Sequence, residues 1–173
     1  CIPHRLAAGT LRTTGTSDDH ANKGLFRYVI SSNGARVTDI RNRKTIFRAS
    51  VDREEGLTLL EKCRGKGLGI ASHVRHRYLL QGRFLTAAGR MIYGKDAKGV
   101  YCVQNMESFI RANHCEVEEF QFYFLTPAAK DKVKAILKDY SSLHAAYTGI
   151  YVEVYSQNAS KGNALAALAG HLG

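Results

Sequence analysis

The sequence predicts a mixed α/β fold in which antiparallel hairpins carry helices. Three observations predict it. Apolar runs of strand length end at turn residues, helix-period apolar stripes follow capping residues, and the composition is that of one ordinary domain. The chain has 173 residues, of which 45% are hydrophobic and 23% charged. That balance excludes a disordered tail, a collagen-like repeat and a coiled coil. No apolar run reaches the ~18 residues of a membrane-spanning helix. The first residue is Cys1, with no charged-then-apolar leader after it, so the start is expected to be a cut, a processing site or the edge of a fragment.

The elements follow in order. Phe26–Ser31 is a strand-length run leading into the turn pair Asn33-Gly34, which predicts a buried strand ending at a turn. Residues 35–39 and 45–49 are expected to pair as a hairpin around Arg41-Asn42-Arg43. Ser50 or Asp52 can cap a helix to about Arg64, with Asp52 and Glu55 at capping-box spacing, and Gly65 and Gly67 ending it. Residues 68–71 and 77–80 read as short strands, whereas 82–104 carries no clear pattern. Phe120–Leu125 reads as a strand closed by Thr126-Pro127, an N-cap and a first-turn proline. Ala129, Val133, Ile136, Leu137 and Tyr140 share one face of the next helix. Residues 143–148 and 150–155 form strands around Gly149. Ser160 then caps a last helix expected to bury Ala164, Leu165, Leu168 and Leu172.

The formal net charge is +10, and the excess sits in residues 61–100, with nine basic against two acidic groups. Such a segment either attracts phosphates or forms a solvated basic face. Cys1, Cys63, Cys102 and Cys115 show no paired-ligand spacing and read as reduced, packed thiols of a cytoplasmic protein. His73, His76 and His114 lack partners at finger-like spacing, which argues against a zinc site.

Lys161 is the most informative residue, directly after the N-cap Ser160 in the run Asn158–Leu165. A cation in a first helical turn faces the positive end of the helix dipole, at a cost of ~0.3–1 kcal/mol. An anion beside it reverses the sign, because amides and ammonium then act together on one phosphate or carboxylate. A lysine that swings into water is the bland alternative.

Gly149–Gly173 (GIYVEVYSQNASKGNALAALAGHLG) and Tyr28–Val37 (YVISSNGARV) resemble two motifs of the Cof-type phosphatase branch of the haloacid dehalogenase superfamily. Asn33 and Lys161 stand 128 positions apart, about the length of the cap domain such enzymes insert between these motifs. The resemblance implies an α+β cap, an antiparallel sheet with helices, inserted in a partial three-layer α/β core. The implied division is core at 1–36, cap at 37–155 and a core helix at 156–173. It implies phosphoryl transfer through an aspartyl-phosphate on small phosphorylated metabolites such as sugar phosphates. Lys161 takes the catalytic, phosphate-holding role, Asn33 and Gly34 lie at the substrate, and Glu153 holds the place of the family's strand glutamate. Mg²⁺ is the implied cofactor, with ligands expected outside this chain.

The chain departs from the family pattern in ways that bear on activity. It contains neither an Asp-x-Asp-Gly-Thr nucleophile motif nor a Gly-Asp-x-x-Asn-Asp metal motif. Where a Thr-Gly-Arg is expected stands Ala8-Gly9-Thr10, and Thr14-Gly15-Thr16 lies too near Asn33. The chain is therefore expected to be an internal fragment or a degenerate, non-catalytic relative, inactive alone. A basic single-stranded nucleic-acid-binding module is the alternative, resting on the charge, the aromatic strand Phe120–Phe124 and the run His73–Arg77. The glutamine and upstream acids around those aromatics weigh against it. No membrane partner is expected, and the oligomeric state is left open.

Overall fold

The computed structural model describes residues 26–74, 77–93 and 100–173. The strands are β1 (Tyr28–Ser31), β2 (Arg36–Asp39), β3 (Lys44–Arg48), β4 (Leu68–Val74), β5 (Arg77–Gln81), β6 (Val100–Val103), β7 (Glu119–Phe124), β8 (Leu143–Tyr147) and β9 (Tyr151–Ser156). The helices are α1 (Arg53–Cys63), α2 (Arg83–Tyr93), α3 (Met106–Asn113), α4 (Ala129–Leu137) and α5 (Lys161–Leu172). Two sheets result, one of order β1-β2-β3 and one of order β6-β5-β4-β7-β9-β8. Adjacent strands pair antiparallel, except that β6 lies parallel to β5.

The larger sheet is organised by strict alternation. In β7, Phe120 and Phe122 point to one face and are wholly buried. They pack with Val152 and Val154 of β9, Leu57 and Leu60 of α1, Phe109 of α3 and Val133 of α4. Burying each such ring contributes roughly 1.5–3 kcal/mol. Glu119, Gln121 and Tyr123 necessarily take the other face. That face is covered at the β6 side by α2, whose Leu85 packs on Ala71, Leu80 and Val100. Asp52 caps α1 as expected, accepting from the Glu55 N–H at 3.0 Å. Gly65 and Gly67 follow α1 with φ of +69° and +75°.

Several local expectations are corrected. β1 is an edge strand, with Val29 40% and Phe26 62% exposed, rather than a buried one. Residues 83–93 and 100–103 form α2 and β6 where no pattern was legible. Phe84 and Met91 stay exposed on α2, so its apolar residues do not mark a single buried stripe. α4 starts at Ala129 without a side-chain cap, because Thr126 first closes a turn, its carbonyl accepting from the Ala129 N–H at 3.0 Å. α5 buries Ala164, but Leu165 and Leu172 are 57% and 59% exposed. Its main contacts are with β2, β3 and the turn after β1, with His171 edge-on to Tyr28 of β1, too small a surface to cover its whole apolar side. Cys63 and Cys115 are buried, and burial pushes the Cys63 thiol up to about 12. Cys102 is disulfide-bonded, against the reading of four reduced thiols.

Candidate active site

The site forms where the chain leaves β1. Ser32, Asn33 and Gly34 take φ of +50°, +54° and +91°, a tight left-handed turn that asparagine and glycine tolerate best. The turn seats on the start of α5. A side chain on Gly34 would place its Cβ 2.4 Å from the Ser160 carbonyl carbon and oxygen and 2.7 Å from the Lys161 nitrogen. Only a bare backbone fits there. Ser160 caps α5, its hydroxyl accepting from the Asn163 N–H at 3.0 Å. Ala35, Ala49 and Ala159 fill the small space beneath, with Phe47 and Tyr155 against them.

These contacts bring together the three residues selected from the sequence. Asn33 and Lys161 line one cleft of about 560 Å³ with His144, Tyr155, Gln157, Ala159 and Ser160, and the buried Gly34 packs between them on the Ser160–Lys161 peptide. Lys161 is exposed. Among the described residues no acidic side chain forms a salt bridge with it. His144 packs tilted against Tyr155, with ring centroids 5.1 Å apart and planes at 40°. Ala8-Gly9-Thr10 and Thr14-Gly15-Thr16 lie outside the described residues.

Three glutamates, Glu119 and Glu153 of the larger sheet and Glu118 just before β7, hold the turn from the other side. The Asn33 side-chain N–H bonds donate to Glu119 Oε2 at 2.9 Å and Glu153 Oε2 at 3.1 Å. The Ser32 hydroxyl donates to Glu118 at 2.9 Å. Glu118 also faces Arg36 Nη2 at 2.5 Å, both residues being buried. That approach is a charge contact rather than an aligned hydrogen bond, since neither atom has a hydrogen-bond partner. Gln121 links the acids, donating to Glu119 at 2.7 Å and Glu153 at 3.4 Å. Its carbonyl accepts from the hydroxyls of Tyr78 and Tyr123 at 2.5 and 3.2 Å. Glu153, assigned only a weak role from the sequence, is thus tied to Asn33. Glu118, Glu119, Gln121, His144 and Tyr155 were not selected. The polar-apolar alternation beginning at Glu119 was the available signal for two of them.

Burial raises the Glu119 carboxyl above its ordinary value of 4.5, the nearby charges of Glu153 and Glu118 add to this, and hydrogen bonds from Gln121 and Asn33 oppose it. Burial likewise lowers the His73 imidazole, against the pull of Glu118 and Glu153. A folded carboxyl raised in this way adds stability below the pH where free glutamate titrates. That contribution is lost as pH rises through the higher folded value. Carboxyl-carbon NMR is expected to place the Glu119 midpoint above 4.5, and Asn33→Ala is expected to raise it further by removing a donor that favours the charged form. A midpoint at or below the free value would contradict this environment.

Other expectations resolve against the cleft. In the basic segment, Lys62 pairs with Asp139 and Arg64 with Glu107, while Arg77 lies 4.8 Å over the Tyr101 ring. None of these three lines the cleft. Phe120 and Phe122 are buried beneath helices, so those two rings cannot serve as base-stacking platforms. Among the described residues no group of three or more His, Cys, Asp or Glu could hold a metal ion. The acids nearest the cleft are already engaged by Asn33, Gln121, Ser32 and Arg36. The described residues therefore do not fit Mg²⁺.

A mixed α/β chain with a cap-like, largely antiparallel sheet and a lysine-bearing helix packed on the β1-β2-β3 hairpins defines the class. The model of the haloacid dehalogenase-like hydrolases matches residues 5–173, and the chain belongs to that family. The resemblance of Tyr28–Val37 and Gly149–Gly173 to its Cof-type branch agrees with this membership. No curated protein matches the chain in sequence. Among solved structures it is similar to the subclass IIB sugar phosphatase BT4131, with TM-score 0.65, 16% identity, and coverage of 92% of this chain and 58% of that one. It is also similar to the phosphatase-superfamily member BT1666 from Bacteroides thetaiotaomicron, with TM-score 0.66, 22% identity, and 91% and 56% coverage. A third is TM0651 from Thermotoga maritima, with TM-score 0.69, 18% identity, and 90% and 58% coverage. The chain spans little more than half the length of these structures, and the likeness is one of fold. Among the described residues no helix is long and apolar enough to cross a membrane.

Proposed function

We propose that this chain supplies the cap and the phosphate-holding lysine of a phosphatase acting on small phosphorylated metabolites such as sugar phosphates. The observation that carries the reading is the seat of Gly34 on the Ser160–Lys161 peptide, which puts Asn33 and Lys161 in one cleft. Family membership supports the reaction class. The six-stranded sheet with α1–α4 is the cap in this reading, and β1 and α5 belong to the core. The divisions at 1–36, 37–155 and 156–173 are kept as proposals, with the β2–β3 hairpin at the margin because it pairs with β1. A cytoplasmic location is supported by the free, buried thiol of Cys63, though not by Cys102.

The chain's own contribution is binding. Lys161 and the N-terminal amides of α5 converge on a phosphoryl group and offset its charge. Asn33 and Gly34 shape the wall opposite, where a cap can exclude water. The aspartyl nucleophile and the Mg²⁺ that offsets phosphoryl charge are assigned to residues outside this chain. No turnover of para-nitrophenyl phosphate with Mg²⁺ is therefore expected from the 173 residues alone. Inorganic phosphate should shift the backbone amide of Lys161 in an NMR titration, and Lys161→Ala should weaken that binding about tenfold or more, the scale of a charge-assisted hydrogen bond. Turnover by the chain alone, or phosphate binding unchanged by the substitution, would overturn the reading.

A further inference from the structure

We infer that Glu119 and Glu153 are positioning residues that fix the Asn33 amide so that its carbonyl oxygen faces the substrate, which selects phosphate esters whose leaving group carries a hydrogen-bond donor. The inference rests on the proposed phosphate site and deepens it.

Asn33 has two N–H donors and one carbonyl acceptor. Both donors are engaged, one by Glu119 at 2.9 Å and one by Glu153 at 3.1 Å. The reverse orientation would press a carbonyl oxygen against carboxylate oxygens, losing two hydrogen bonds and adding repulsion. Gln121 reinforces the arrangement by donating to both acids, and its own orientation is set by the hydroxyls of Tyr78 and Tyr123. The backbone turn holds the residue in place, with Gly34 locked on the Ser160–Lys161 peptide. Asn33 lines the cleft, and with both amide N–H groups engaged the side-chain polar atom left to offer is Oδ1.

An acceptor-only atom cannot bind a phosphoryl oxygen, which is itself an acceptor, so the Asn33 side chain does not share the phosphate with Lys161. It can accept from a hydroxyl or an ammonium beside the phosphate. Glu153, half-buried at the same edge, favours the same kind of group. The cleft therefore divides into a cationic end at Lys161 for the phosphoryl group and an acceptor end at Asn33 for a donor on the leaving group. A sugar or amino-sugar phosphate meets both, and a plain aryl phosphate meets only the first.

The test compares binding to the 173-residue chain by NMR titration at pH 7. The probes are inorganic phosphate, phenyl phosphate, glucose 6-phosphate and glucosamine 6-phosphate. The better of the two sugar phosphates is expected to bind about fivefold more tightly than phenyl phosphate, the scale of one net hydrogen bond. A hydroxyl contact favours both sugars, and an ammonium contact favours glucosamine 6-phosphate alone. Asn33→Ala should bring the ratio to within about twofold. Glu153→Ala should lower it, and Glu153→Gln, whose carbonyl can still accept the Asn33 N–H, should restore most of it. Loss of amide dispersion in a variant would mark misfolding, and the Glu153 pair then decides. Equal binding of the three esters, or a ratio untouched by these changes, overturns the inference while leaving phosphate binding at Lys161 standing. Absence of inorganic phosphate binding brings down the underlying site, and this inference with it.

Discussion

Gly34→Ala is expected to cost about 3 kcal/mol or more, lowering the melting temperature by roughly 6–12 °C in a chain of this size. Two causes add. The residue sits at φ +91°, where a side chain costs about 1–2 kcal/mol. The new Cβ would lie 2.4 Å from the Ser160 carbonyl, and relieving such overpacking costs about 1–3 kcal/mol. The obstacle is backbone at a capped helix start, so it cannot rotate aside as a side chain would. Gly65→Ala is the matched control, with φ +69° and nothing within 4 Å of the added carbon. It should lose only the torsional cost of about 1–2 kcal/mol. Thermal denaturation of both variants separates the clash from the torsional cost. Equal losses would mean that the turn and α5 do not pack as described, and Asn33 and Lys161 would not share the cleft.

Glu118→Ala is expected to cost about 3–5 kcal/mol at neutral pH. Glu118 and Arg36 are 1% and 4% exposed, with charged atoms 2.5 Å apart, so removing the carboxylate leaves a guanidinium buried without its counter-charge. Ser32 also loses its acceptor, loosening the turn that carries Asn33. Arg36→Met combined with Glu118→Leu should recover most of the loss, because apolar groups of similar volume carry no desolvation cost. Urea titration of the two single variants and the pair measures the coupling. A single-variant loss below about 1 kcal/mol would show the pair to be solvated in solution.

Much of the fold was legible because its signals are local. Asp52 and Ser160 cap helices through hydrogen bonds to the third residue on, a contact that depends on spacing alone. Asn33-Gly34 marked a turn because few other residues accept positive φ. The α2–β6 stretch was not legible, since Phe84 and Met91 are exposed while Leu85 packs on the sheet. Hydrophobicity there does not report which side is covered. The direction of the basic segment was not legible for a related reason: Arg64, Lys62 and Arg77 find partners distant in sequence, and a count of charges carries no direction.

The sequence by itself determined the order of the elements, the capped start of α5 and the pairing of a turn motif with a lysine motif, all of which depend on neighbours a few positions apart. Only the tertiary structure decided that Glu118, Glu119 and Glu153 close on that turn, because β7 and β9 lie side by side through backbone hydrogen bonds that bring positions 119 and 155 into register. Which atom of Asn33 faces the cleft follows from that pairing. The orientation of an amide is set by whatever carboxylates the fold places against it, and strand register, not local sequence, places them.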